Sequence, residues 1–239
     1  VLSDEEKEAG VVLVDIGGGT TDIAIFQDGI IRHTAVIPFG GNIITEDIKQ
    51  GCTIMRNQAE LLKVKFGSAL ATENKDNEIV CIPGLKGRDA KEISLRNLAH
   101  IIEARMEEII EHVHYEIRNS GYEKQLIGGI VLTGGGSQVK HMKQLVEYIT
   151  GMDCRIGYPN EHVSKSVDDN LLIPAMSTGV GLVINGLEKY SVSMQGEAVH
   201  AEQPQDKKAI SPLREKHRDN RGPASFLNRI KEFFDAEEE

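Results

Sequence analysis

Asp15-Ile16-Gly17-Gly18-Gly19-Thr20-Thr21-Asp22 is the stretch on which the reading of this chain turns. The apolar run Val11–Ile16 leads into it, and a second β-like run, 21–26, leads out. Three glycines between two strands let the backbone turn sharply and bring N–H groups against an anion with no Cβ in the way. Asp15 at the strand end and Asp22 beyond the turn suit a hydrated Mg²⁺, which prefers carboxylates and retained waters. Thr20 and Thr21 add hydroxyls for phosphate oxygens. A Gly-rich hairpin with no ligand is the plain alternative; the flanking acids favour phosphate.

A second stretch has the same grammar. Ile130-Val131-Leu132-Thr133-Gly134-Gly135-Gly136-Ser137-Gln138 is a strand running into glycines, with a helix expected over 139–150. Close backbone approach at a helix N-terminus suits a nucleotide. Such joints also serve as plain connections, so the weight lies in the pairing of the two stretches.

Outward from these sites the chain alternates apolar runs with Gly-marked turns, the pattern of a packed α/β fold. Asp28-Gly29 reads as a two-residue hairpin turn before a third strand, Ile30–Ile37. Helices are expected over 42–52, 58–66 and 98–117, the last with Leu98, Ile101, Ile102, Ile109, Ile110, Val113 and Ile117 on one face and Glu103, Glu107 and Glu111 on the other. Further strands are expected at 78–82, 129–132 and 153–156, and a last helix at 174–184. Residues 67–95 otherwise read as irregular. Glu60 and Lys63 share one face of the 58–66 helix, a spacing that by itself describes an ordinary surface ion pair. His112 and His114 lie near Glu108 and Glu111 without the HExxH spacing of a zinc site, and read as a solvated face.

The whole sequence has 239 residues, 27 basic against 37 acidic for a net charge of −10, and no Trp. That balance argues against a nucleic-acid surface, which needs clustered Lys and Arg. No run approaches the roughly 18 to 20 apolar residues of a transmembrane helix. Cys52, Cys81 and Cys154 are far apart with no CxxC, so disulfides and zinc are not expected and a reducing compartment is. With Val1 first and no leader pattern, the chain reads as a piece of something longer.

Composition breaks near Gly186. Residues 188–224 are poor in apolar side chains, interrupted by Pro204 and Pro212, and read as a disordered linker, with an r.m.s. span of roughly 30 to 35 Å. Beyond it, at 100° per residue, Phe226, Leu227, Ile230, Phe233 and Phe234 fall within an arc of about 120°. Arg229 and Lys231 flank that stripe, Asn228, Glu232 and Asp235 oppose it, and Ser225 stands where an N-cap would. Residues 225–239 therefore read as a short amphipathic helix that folds on a membrane surface rather than back on its own domain, weakened by Glu237, Glu238 and Glu239.

DIGGGTTD followed by IVLTGGGSQV resembles the phosphate-2 and adenosine motifs of the actin-like ATPases, the superfamily of actin, DnaK-type chaperones and sugar kinases. More narrowly, IRHTAVIPFGGNIITEDIK (31–49), AELLKVKFGSA (59–69) and IIEARMEEIIEHV (101–113), with the terminal segment, resemble the bacterial cell-division FtsA family. The resemblance implies an α/β actin-like (ribonuclease H-like) fold and ATP with Mg²⁺ as cofactors. It implies that Asp15 holds the metal through water, that Gly17, Gly18, Gly19, Thr20 and Thr21 cradle the β/γ-phosphates, and that Gly134, Gly135, Gly136 and Ser137 face the adenosine. Glu60 and Lys63 match a helical pair that contacts ribose and base. The late helix with Ala175, Gly179 and Gly181 resembles the second connecting motif between two halves.

Nothing ahead of Val11 matches the first phosphate loop of that superfamily. The resemblance therefore implies the C-terminal half: residues 1–187 as subdomain 2A, with a small α+β subdomain, 2B, inserted at about 50–120, and weak ATP binding by this piece alone. It further implies an adaptor that tethers FtsZ filaments to the cytoplasmic face of the cell membrane at the division site, with ATP as an assembly ligand and at most weak hydrolysis. Partners are then FtsZ, the membrane surface and further copies in a filament, with no nucleic acid. Arg88, Arg96 and Arg105 are the candidates for an acidic FtsZ peptide. An ATP-hydrolysing enzyme or chaperone, or another membrane-associated actin-like scaffold, is the alternative.

Overall fold

Val12, Val14 and Ile16, at alternate positions and so on one face of a strand, are fully buried, and Val11 on the opposite face is buried too. A computed structural model of the chain describes residues 1–201 except 76, 85, 88, 162, 165 and 166. In order the first elements are α1 (Asp4–Ala9), β1 (Val11–Ile16), β2 (Thr21–Gln27), β3 (Ile30–Ile37), α2 (Gly41–Cys52) and α3 (Arg56–Phe66). Then come β4 (Ile79–Ile82), β5 (Lys91–Ser94), α4 (Leu95–Ser120), β6 (Ile130–Thr133), α5 (Met142–Thr150), β7 (Cys154–Ile156) and α6 (Ser177–Ala201).

The main sheet has the order β3-β2-β1-β6-β7. The first three strands form the expected antiparallel meander, and the turn between β2 and β3 has positive φ at both Asp28 (56°) and Gly29 (72°), as a type I′ hairpin requires. β1 pairs in parallel with β6, and β6 with β7. The direction of the connections therefore reverses at β1. The carboxyl ends of β1 and β6 lie side by side, with Asp15 opposite Thr133. In open α/β sheets, ligands bind outside carboxyl ends at such a switch point.

α4 closes one side of this sheet. Leu98, Ile102, Met106, Ile109, Ile110, Val113 and Ile117 are buried along it, while Ile101 is only partly covered. The helix starts at Ser94, whose hydroxyl accepts from the Asn97 N–H, and stops at Gly121 with φ 78°. Arg105 grips Asp47 of α2 through two hydrogen bonds, Nε–Oδ2 at 2.6 Å and Nη2–Oδ1 at 3.0 Å, and also holds Glu108. The Asp47 hydrogen bonds raise the guanidinium above its ordinary range. This arginine is spent inside the fold, Arg96 is engaged as well, and Arg88 lies outside the described residues.

The same apolar core runs from Val14 through Ile44 and Ile48 of α2 to Ile82 and Ile93 of the β4–β5 hairpin. β5 lies in a stretch expected to be irregular; its sequence, Lys-Glu-Ile-Ser, has one core residue, and pairing with β4 makes it a strand. A 3₁₀ turn, Gly135–Gln138, stands between β6 and α5, which begins at Met142 instead of residue 139. α6 continues past Gly186 to Ala201, into the stretch read from composition as linker. Met194, Gln195, Glu197 and Ala198 are serviceable helix formers, and the first proline comes only at Pro204. The remainder of the expected linker and the expected amphipathic segment lie outside the described residues.

Candidate nucleotide site

The turn after β1 is closed by the Gly17 N–H donating to the Thr20 carbonyl at 2.9 Å. Its carbonyls face α2: the Gly41 N–H donates to Gly17 O at 2.9 Å and the Asn42 N–H to Gly18 O at 2.8 Å. The helix thus spends two of its unpaired N-terminal donors on the turn. Such contact needs a glycine at residue 40, where a Cβ would lie 2.5 Å from Gly17 O. The N–H groups of Gly18, Gly19 and Thr20 donate to nothing among the described residues, and all three residues are exposed. Successive unpaired amides in a turn make an anion-binding concavity. Thr20 donates its hydroxyl to Asp22 Oδ2 at 2.8 Å. Thr21 is buried, with its hydroxyl on the Phe39 carbonyl at 3.0 Å, and so holds the turn from behind.

Asp15 and Asp22 are directly opposed across β1 and β2. Side chains at opposed positions share a face, and like charges there are destabilising. Asp15 is half-buried; Thr178 of α6 donates to its Oδ2 at 2.7 Å, and no cationic side chain among the described residues pairs with it. Thr178 had no motif to mark it in the sequence. Among the described residues no cluster of three or more His, Cys, Asp or Glu could encage a metal. A pair of opposed carboxylates beside free amides nevertheless fits Mg²⁺, which keeps most of its waters and takes only one or two protein carboxylates beside phosphate.

The second glycine run is packed onto the first site. Gly134 has φ 81°, and a Cβ there would lie 2.2 Å from Asp15 Oδ1; at Gly136 it would lie 2.4 Å from Ile16 Cγ2. Ser137 is buried and donates to Gly134 O at 2.7 Å. Of the four residues only Gly135 is exposed. The run enters a 3₁₀ turn rather than an α-helix, so close approach and not a helix dipole is what it offers.

Glu60 and Lys63 meet as an ion pair at 2.8 Å. Lys63 Nζ also donates to Gly41 O at 2.8 Å and to Thr45 Oγ1 at 2.9 Å. Burial alone would raise the Glu60 carboxyl, but hydrogen bonds from Lys63 and Thr45 and the charges of Lys63 and Arg56 hold it below the ordinary glutamate range. The residues after α3 are tied to those after the second glycine run: Ala69 N–H donates to Lys140 O at 2.8 Å, and Ser68 Oγ lies 2.9 Å from His141 Nδ1. Expected phosphate, metal and nucleoside residues therefore surround one end of the sheet. His112 and His114 take no part: His112 stands edge-on to the Phe39 ring at 5.3 Å, and His114 faces Glu123 at 3.3 Å.

A profile of the family described as Cell division protein FtsA matches residues 12–181. The chain is 42% identical over 208 residues to the cell division protein FtsA of Pseudomonas aeruginosa, covering 85% of this chain and 49% of that protein. It is 37% identical over 205 residues to that of Escherichia coli K12 (83% and 48%), and 39% identical over 182 residues to that of Bacillus subtilis 168 (76% and 40%). The chain spans about half the length of the curated relatives it matches. Among solved structures, MreB5 of Spiroplasma citri bound to ADP superposes with TM-score 0.59 at 20% identity, over 78% of this chain and 56% of that one. The PilM–PilN type IV pilus biogenesis complex gives 0.57 at 18%, over 77% and 47%. These likenesses make the fold an actin-like α/β core. On the profile and the curated relatives, the chain belongs to the family of the cell division protein FtsA.

Proposed function

We propose that the carboxyl ends of β1 and β6 bind the phosphates of Mg²⁺·ATP, and that the chain is the nucleotide-facing half of a cell-division adaptor. The observation that carries this reading is the row of unpaired N–H groups at Gly18, Gly19 and Thr20 beside the opposed carboxylates Asp15 and Asp22. The amides take the β/γ-phosphate oxygens, and the Thr20 hydroxyl reaches them only by turning from Asp22. Asp15, held by Thr178, orders the water shell of the metal, whose charge screens the phosphates from the two carboxylates. Glu60 and Lys63 receive the ribose and base, with Gly135 opposite. An ADP-bound solved relative of the same fold supports the ligand class.

In this reading the insertion expected at about residues 50–120 supplies the small subdomain, 2B, through α3 and the β4–β5 hairpin, while α4, which packs on α2, α5 and the main sheet, goes with the body, 2A. The ligand favours assembly of copies into filaments more than it fuels turnover. The filaments tether FtsZ to the cytoplasmic face of the cell membrane at the division site, through the terminal segment with Phe226, Leu227, Ile230, Phe233 and Phe234. Isothermal titration of the full-length protein with Mg²⁺·ATP tests the core of it. Asp15→Ala should weaken binding at least tenfold, about 1.4 kcal/mol, while the melting temperature stays near that of the parent. Equal affinity in the two proteins would remove Asp15 from the site and the reading with it.

A further inference from the structure

Thr45 lies one turn into α2 and is 1% exposed, yet its hydroxyl is at the centre of a saturated network. A hydroxyl has one proton to give. Here Thr45 Oγ1 accepts from Lys63 Nζ at 2.9 Å and stands against Glu60 Oε2 and, at 3.2 Å, Gly41 O. Threonines inside helices commonly bond back to the carbonyl four residues earlier. That carbonyl, Gly41 O, already receives Lys63 at 2.8 Å, and the closest approach of the hydroxyl is to the carboxylate. The consistent assignment is one chain of donors: Lys63 to Gly41 O, Thr45 and Glu60, and Thr45 to Glu60. All three ammonium protons are then used. Glu60 has one oxygen committed and the other, Oε1, without a partner among the described residues.

The network does not end at the carbonyl. Gly41 carries Lys63 on its C=O and, on its N–H, donates to Gly17 O of the phosphate turn at 2.9 Å. Gly41 is buried, and a Cβ there would lie 3.5 Å from both Gly17 O and Lys63 Nζ. One residue, Gly41, therefore stands between the residues expected to meet the nucleoside and those expected to meet the phosphates. We propose that Thr45 is a positioning residue: it fixes Glu60 and Lys63 with one carboxylate oxygen facing outward and couples that pair, through Gly41, to the glycine turn. Nucleoside and phosphates are then held as a unit. This rests on the nucleotide reading above.

The test uses Thr45→Val, which keeps the branch and removes the hydroxyl, Thr45→Ser, which restores it, and Lys63→Met. Two readouts are taken in the full-length protein: amide hydrogen exchange at Gly41 and Asn42 without ligand, and titration with Mg²⁺·ADP. Thr45→Val should speed exchange at both amides and weaken Mg²⁺·ADP by roughly tenfold or more, the lower end of what one lost hydrogen bond to a charged group costs. Thr45→Ser should return both to within about twofold of the parent. Combining Thr45→Val with Lys63→Met should cost little more than either alone, because both cut the same chain. Should Thr45→Val not fold, Lys63→Met on its half-exposed helix gives the same exchange readout. A Thr45→Val protein with a lower melting temperature but parental exchange and affinity would reduce Thr45 to packing and overturn the proposal. Absence of binding by the parent would overturn the nucleotide reading and the ligand role of Thr45 together, whereas parental binding unaltered by Thr45→Val overturns the role of Thr45 alone.

Discussion

Six glycines sit in the two motifs, and the sequence presents them as equals. Space around each separates them. A Cβ added at Gly19 would meet nothing within 4 Å, whereas Gly134 is closed by Asp15 and Ile16 and has φ 81°, and Gly136 is closed by Ile16. Gly19→Ala should therefore leave stability unchanged, while Gly134→Ala should cost about 1 to 3 kcal/mol. In thermal melts that is a fall of several degrees, at roughly 2 to 4 °C per kcal/mol for a domain of this size. A parental melting temperature for Gly134→Ala would contradict the packing described here. Spacing alone could not make this distinction, because a phosphate turn and a close packing joint both demand glycine. The cysteines separate in the same way. Burial, with the Glu147 charge, pushes the Cys154 thiol up to about 12; burial also raises Cys52; and Cys81 is exposed. Maleimide at neutral pH should label Cys81 and spare the other two in the folded protein; labelling of Cys154 before unfolding would contradict its burial.

Regular elements with their own periodicity were legible: the meander, α2 to α4 and the strands before each glycine run fall within a few residues of expectation. What escaped the sequence depends on partners far along the chain. β5 is a strand because β4 lies beside it, and Thr178 serves Asp15 from a helix start 163 residues away. Arg105 is another case, since nothing local marks its grip on Asp47. Glu6 and Arg155 make a comparable tie between α1 and β7, with both guanidinium contacts at 2.6 Å. The Arg155 hydrogen bond is the main cause holding the Glu6 carboxyl below its ordinary range. A depressed carboxyl pKa contributes stability above the unfolded value, about 4.3, and that contribution is lost as pH falls through the lower folded value. Glu6→Gln should thus be less stable than the parent in urea at pH 7, by no more than about 1 kcal/mol since Arg155 is partly exposed. The gap should close in acid below the ordinary glutamate range. A gap that persisted unchanged there would mean the tie is not ionic.

At the scale of the whole molecule, the adaptor reading joins a nucleotide site to a membrane segment that lies outside the described residues. No helix among the described residues is long and apolar enough to cross a membrane, so attachment in this reading rests on the terminal stripe. Phe233→Glu puts a charge within that stripe and removes one aromatic from burial, at least a few kcal/mol together. Asn228→Glu adds the same charge on the opposite face. In liposome co-sedimentation the first variant should stay in the supernatant and the second should pellet largely as the parent does; equal pelleting would deny the segment a membrane role. The central claim is the nucleotide site, and its most direct test is amide NMR of the full-length protein during titration with Mg²⁺·ADP. The largest shifts should fall on the N–H groups of Gly18, Gly19 and Thr20, with Gly135 next, and in Asp15→Ala should need at least tenfold more ligand to appear. Shifts centred elsewhere, or shifts at these amides that follow the parental titration curve in Asp15→Ala, would contradict it.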